Sequence, residues 1–183
     1  MLAFDIDDGE LQAIAREFGG TEQQVRMAFG RALRRTASAL RRMSSTGLRS
    51  ELELRTTKHI RRRIREIRLR GGKGGMASVR LWYGANDLPV SAFRGRPTQG
   101  PSGARFRGRD YPGAFVAKGK DGKATIFRRR GDGRLPLIEE TVPVKDQIDI
   151  YLEDVVFDQV EDILIRNFRA DLRARTSFGV GSQ

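Results

Sequence analysis

Three carboxylates spaced by four residues, Asp154, Asp158 and Asp162, come nearest to a chemical constellation in this chain. On a helix that spacing stacks them along one face, where they could in principle hold a magnesium ion for nuclease chemistry. Metal-assisted hydrolysis wants carboxylates converging from different elements around an open position, which a single helical face does not supply. Pairing with basic surfaces is therefore the better reading of these acids. His59 is the only histidine and there is no cysteine, so disulfides, thiolate zinc sites and cysteine nucleophiles are excluded. No serine stands in a nucleophile-elbow context, and His59 reads as a surface residue. Gly71-Gly72-Lys73-Gly74-Gly75 invites a phosphate-loop reading but lacks the preceding strand and the Gly-Lys-Ser/Thr that opens a helix; it reads as a flexible connection. No catalytic motif emerges, so an enzyme is not expected, and no cofactor is implied.

Arginine carries a stronger signal. The 183 residues hold 35 Lys plus Arg against 23 Asp plus Glu, a net charge of +12. That imbalance is an argument about partners: it suits a polyanion or an acidic neighbouring subunit. Arg61, Arg62, Arg63, Arg65, Arg68 and Arg70 crowd one segment with Glu66 as the one carboxylate among them. A merely solvated helix tends to mix signs for ion-pair support, so the single sign favours a contact role. Arg94, Arg96, Arg105, Arg107 and Arg109 recur in a Gly- and Pro-rich stretch, and Arg128-Arg129-Arg130 ends a strand. Arg61, Arg62, Arg65, Arg94, Arg96, Arg105, Arg107, Arg128 and Arg130 are the candidates for contact with DNA or an acidic partner.

The elements that must position these residues follow from periodicity. A first helix over Glu10 to Phe18 places Leu11, Ile14, Ala15 and Phe18 on one stripe and ends at Gly19-Gly20. Thr21 with Gln24 has the form of a capping box, and Val25, Ala28, Phe29, Ala32, Leu33, Thr36, Ala37 and Leu40 trace a long amphipathic helix to about Ser44 or past Gly47. Thr57 caps a basic helix predicted from Lys58 to about Leu69, with Ile60, Ile64 and Ile67 inward. Ala77 to Tyr83 reads as a strand, with Trp82 in the core, and Leu88 to Phe93 as a short returning strand. Leu2 to Ile6 reads as an arm or short strand.

Residues 94–110 are poor in apolar side chains and predict an exposed flexible loop, read either as a solvated insertion or as an arm that orders on a partner, with Phe106 as a stacking or anchoring group. Tyr111-Pro112-Gly113 turns into a strand at Ala114 to Ala117; Asp121-Gly122 makes a hairpin to Ala124 through Arg130, and Leu135 to Ile138 continues extended. The last helix is predicted from between Val144 and Asp149 to near Arg175. Its acids lie toward the start and its arginines toward the end, as the helix dipole favours. The expected fold is α+β: a single domain over 1–183 in which a long N-terminal and a long C-terminal helix pack on an antiparallel sheet, with the loop at 94–110 and a short tail at 176–183. The start lacks signal-peptide regions and no segment is apolar enough to span a bilayer, so no membrane partner is expected and the chain reads as made and kept in a cytoplasm.

Pro112-Gly113-Ala114-Phe115-Val116, the basic strand Thr125 to Arg130, Leu135-Pro136-Leu137, Val142-Pro143 and the helix through Leu164 to Arg173 resemble the lambda-type tail completion family of long-tailed bacteriophages, also called minor tail protein Z. By residues the resemblance covers about Tyr111 to Arg175; by order of elements it covers most of the chain. The 94–110 loop and the acidic start of the last helix have no counterpart in the family pattern. The resemblance implies a non-enzymatic structural subunit of the virion neck, synthesised in the bacterial host. It implies a ring of six copies at the head-proximal end of the tail, next to tail terminator or tail tube proteins and head-tail connector proteins, with phage DNA in the lumen. Ring contacts are heterologous and need two complementary surfaces on each copy. Phe115, Phe127, Asp154, Asp158 and Glu161 are the candidate subunit-interface residues. The alternative is a free-standing basic nucleic-acid-binding protein.

Overall fold

The computed structural model describes residues 8–69 and 78–179. The arm at Leu2 to Ile6 and the Gly71 to Gly75 connection lie outside the described residues. The fold is α+β with a long helix toward each end of the chain, as expected. Its antiparallel strands are shared among four small sheets instead of one. The chain divides into two compact units, the first from the described parts of Met1–Ser45, Arg61–Gly84 and Leu152–Gln183, the second from Thr46–Ile60 and Ala85–Tyr151. No helix among the described residues is long and apolar enough to cross a membrane.

The first unit is built on helices. α1 (Asp8–Glu17) ends at Gly19, whose φ of +59° is open to glycine at no steric penalty, and Gly20 N–H returns to the Ala15 carbonyl at 3.1 Å. α2 (Glu22–Glu51) opens on the capping box read from the sequence: Gln24 N–H donates to Thr21 Oγ1 at 3.3 Å, and Thr21 N–H donates to Gln24 Oε1 at 3.0 Å. Leu11 and Ile14 of α1, Ala28, Phe29 and Ala32 of α2, and Leu164, Phe168 and Leu172 of α5 (Val160–Phe178) form one buried cluster. Phe29 meets Phe168 edge-on, ring centroids 6.2 Å apart. The small residues of α2 let the neighbouring helix approach, and Gly20 sits where a Cβ would come within 3.0 Å of the Leu172 side chain.

The last helix is not continuous. α4 (Lys145–Tyr151) passes through a π-helical turn at Leu152–Val156 and a 3-10 turn at Phe157–Gln159 before α5 begins. The sequence suggests why. Leu152, Val156 and Val160 of the first unit are all buried and spaced by four, which in a regular helix of 3.6 residues per turn drifts by about 40° per step. A wider π turn takes up that drift and keeps all three inward. Val155, within the π-helical turn, is 37% exposed.

The basic helix expected over Lys58 to Leu69 is corrected by the structure. Only α3 (Lys58–Arg61) is helical, and Ile64–Leu69 is strand β1, paired antiparallel with β2 (Ser78–Tyr83) through Ile64 opposite Tyr83. The run Ile-Arg-Glu-Ile-Arg-Leu satisfies either template, but a helix would stack Arg61 over Arg65, whereas β2 offers a ladder. Trp82 is also corrected: it is 45% exposed, while Leu81 and Tyr83 turn inward.

In the second unit, β3 (Leu88–Pro89) pairs with β10 (Thr141–Val142), and Val90–Ala92 is a 3-10 turn, not the expected strand. Its amides are taken by the segment around β9 (Leu137–Glu139): Val90 N–H donates to the Glu140 carbonyl and Ser91 N–H to the Glu139 carboxylate. The loop expected at 94–110 is instead largely a meander of β4 (Thr98–Gly100), β5 (Gly103–Phe106) and β6 (Arg109–Pro112). Ala104, Phe106 and Tyr111 supply the burial that composition concealed, and Phe106 packs on Phe93 at 6.1 Å instead of offering itself to a partner. Arg107-Gly108 is a two-residue turn with φ of +51° and +77°, the signs a type I′ hairpin requires. β7 (Phe115–Lys118), β8 (Ala124–Arg129) and β9 form the last sheet in that order, close to the predicted hairpin. Thr125, fully buried, donates to the Glu139 carboxylate at 2.6 Å and ties β8 to β9.

Candidate functional site

The nine arginines singled out in the sequence separate into two kinds. Arg61, Arg62, Arg65, Arg94, Arg96 and Arg130 are exposed. Arg105, Arg107 and Arg128 are engaged by carboxylates of their own unit: Arg105 with Asp110 at 2.9 Å, Arg128 with Glu140 at 2.6 Å, and Arg107 with Glu53. Arg107 is the most constrained. It also donates to the Leu52 carbonyl at 3.2 Å and lies over the Phe93 and Phe106 rings at 5.1 and 5.7 Å. That makes it a strut between the helix end and the meander, and removes it from the contact set.

Of the candidate interface residues, Phe115 and Phe127 face each other across β7 and β8, ring centroids 6.4 Å apart, and are half-buried. Asp154, Asp158 and Glu161 are exposed in the first unit, and among the described residues none of them has an ion-pair partner. The structure does not gather the acids into a pocket: among the described residues no three His, Asp or Glu side chains converge as a metal ion would need.

The structure reveals a cationic groove outside the sequence-derived set. Arg31, Arg34, Arg35, Ser38 and Arg42 fall at spacings of three, four, seven and eleven residues on α2, which places them on one face opposite the apolar stripe. With Asn167 of α5 they line an open groove of about 580 Å3. Asn167 is oriented by donating Nδ2 to the buried Thr36 hydroxyl at 3.0 Å. Arg31 Nε lies 3.3 Å from Asp171, which is itself bound by Arg175 at 2.7 Å. Arg34, Arg35 and Arg42 are exposed and, among the described residues, have no carboxylate partner. The signal was present in the sequence as the polar counterpart of the alanine-rich stripe. A second, smaller groove of about 490 Å3 in the other unit is lined by Arg55, Arg96, Lys118 and Lys123. Arg55 Nη2 is tied there to the Gly95 carbonyl at 2.8 Å.

Such grooves concentrate positive potential and recruit oxyanions. No family model, no curated protein and no solved structure matches the chain.

Proposed function

We propose that the chain is a structural subunit of the head-tail neck of a long-tailed bacteriophage, assembling into a homo-oligomeric ring at the head-proximal end of the tail. The resemblance of Tyr111 to Arg175 to the tail completion family supplies the class. The observation that carries the assembly reading is the outer edge of the β7-β8-β9 sheet. Leu137 and Ile138 of β9 are 38% and 49% exposed, and Leu135, just before the strand, is 73% exposed, within the stretch that bears the resemblance. An unpaired apolar edge is a liability in a lone subunit and a docking surface in an assembled one. The exposed acids Asp154, Asp158 and Glu161 and the exposed arginines Arg34, Arg35 and Arg42 of the same subunit offer the dissimilar surfaces that a heterologous ring contact requires. In this reading the partners are further copies, tail terminator or tail tube proteins, connector proteins and DNA passing through the lumen.

Mass measurement of the purified chain by light scattering, with Leu137→Glu/Ile138→Lys as the edge-breaking variant, tests it. A concentration-dependent oligomer that the variant dissolves is the expected result. A monomer at every concentration, together with absence of the protein from purified virion necks, would remove the proposal. The second reading, a free-standing nucleic-acid-binding protein, is favoured by Arg34, Arg35 and Arg42 of α2, which have no carboxylate partner among the described residues, and it predicts tight duplex binding by the monomer.

A further inference from the structure

We infer that the groove between α2 and α5 is a track for the phosphodiester backbone of a nucleic acid, with Arg34, Arg35 and Arg42 as the phosphate-contacting groups and Ser38 and Asn167 as neutral hydrogen-bond donors beside them. The assignment goes beyond the neck reading and stands whether the chain acts in a ring or alone. Four observations carry it. The lining is polar throughout, Arg31, Arg34, Arg35, Ser38, Arg42 and Asn167, with no apolar side chain to anchor a protein surface. Protein interfaces have desolvated apolar centres, whereas backbone phosphates are bound by guanidinium, hydroxyl and amide donors of this kind. The guanidinium groups at 34, 35 and 42 are exposed and uncommitted among the described residues.

Length also fits. From Arg34 to Arg42 the helix rises by about 12 Å, roughly the axial rise of three or four base pairs of duplex. Finally, the groove floor is fixed. Asn167 is oriented by Thr36, and Arg31 is drawn toward Asp171, which Arg175 already occupies. Arg31 thus serves as a wall, and the three arginines beyond it remain for the ligand. None of these contacts reads a base edge, so the binding is independent of sequence.

The test uses the full chain and a fluorescently labelled mixed-sequence DNA, single-stranded and duplex, with anisotropy followed across a salt series. Arg34→Gln/Arg35→Gln and, separately, Arg42→Gln retain helix propensity and the aliphatic stem, and circular dichroism checks their folding. The expected result is DNA binding by the wild type, at least tenfold weaker in the double variant. The slope of log K against log salt should become shallower by about 2, near 0.9 per lost phosphate contact. Lys120→Gln/Arg134→Gln, at exposed positions of the other unit that line neither groove, should leave most of the affinity intact. Wild-type affinity in both groove variants would overturn the assignment, as would no DNA binding at low salt. Binding of polyglutamate as tight as that of DNA would overturn it too, in favour of an acidic protein.

Discussion

Arg175 Nε donates to Asp171 Oδ2 at 2.7 Å, one turn apart on α5, and both side chains are less than a tenth exposed. Arg31 approaches the other carboxylate oxygen from α2 at 3.3 Å. Two charges kept from water are tolerated because each satisfies the other, so removing one leaves the other stranded. Asp171→Ala is expected to lower unfolding free energy by about 3–5 kcal/mol in a urea titration. Asp171→Leu with Arg175→Met should recover most of that loss, because no lone charge remains buried.

Gly103 opens β5 against β6, and a Cβ there would lie 2.3 Å from the Tyr111 carbonyl oxygen and 2.9 Å from Pro112 Cα. Both are backbone atoms and cannot rotate away. Gly103→Ala should therefore separate the meander, at about 3 kcal/mol or more. Limited proteolysis is the direct readout, with new cleavage between Arg94 and Arg109. Gly108→Ala, where a Cβ meets nothing within 4 Å, should be milder, limited to the strain of its positive φ.

Arg107 occupies a left-handed conformation that a non-glycine residue adopts at about 1–2 kcal/mol, and its contacts with Glu53, Leu52, Phe93 and Phe106 offset that strain. Arg107→Ala loses the contacts and retains the strain; Arg107→Gly loses both. The glycine variant is thus expected to be the more stable of the two by about 1 kcal/mol, with both below wild type in thermal melts. DNA affinity should change in neither.

Burial pushes the Tyr83 hydroxyl above the ordinary tyrosine range, against a smaller opposing effect from its 2.9 Å hydrogen bond with Ser44. Burial raises Tyr111 and Tyr151 as well. A neutral phenol raised in the folded state keeps its proton longer than in the unfolded chain, so the unfolded state binds fewer protons once pH exceeds about 10. The stabilisation is fully present below that pH and is lost as pH climbs toward the folded value. Unfolding free energy should fall above about pH 10, less steeply in Tyr83→Phe. An absorbance titration should show tyrosine ionisation delayed in the native protein and ordinary in urea.

What the sequence disclosed tracks how local the deciding interaction is. The Thr21 and Gln24 cap, the α2 stripe and the Asp121-Gly122 hairpin depend on neighbours within a few residues, and all are found. Ile64 fails as a helix residue because β2 decides its state from across a ladder. The meander was concealed because its buried side chains, Ala104, Phe106 and Tyr111 among them, are scattered through a stretch otherwise rich in Arg, Gly and Pro. The α2 groove was hidden for a different reason: its arginines are the polar complement of the apolar period, and Asn167, which makes them one side of a groove, comes from α5.

Neither compact unit is a contiguous piece of chain. Leu11, Ile14 and Phe29 of the first unit are covered by Leu164, Phe168 and Leu172, which are translated more than a hundred residues later. On the ribosome, α1 and α2 emerge with a greasy stripe that has no native cover until α5 follows. Nascent chains are accordingly expected to lean on a holding chaperone over that interval, and an early stop codon before α5 to leave an insoluble product.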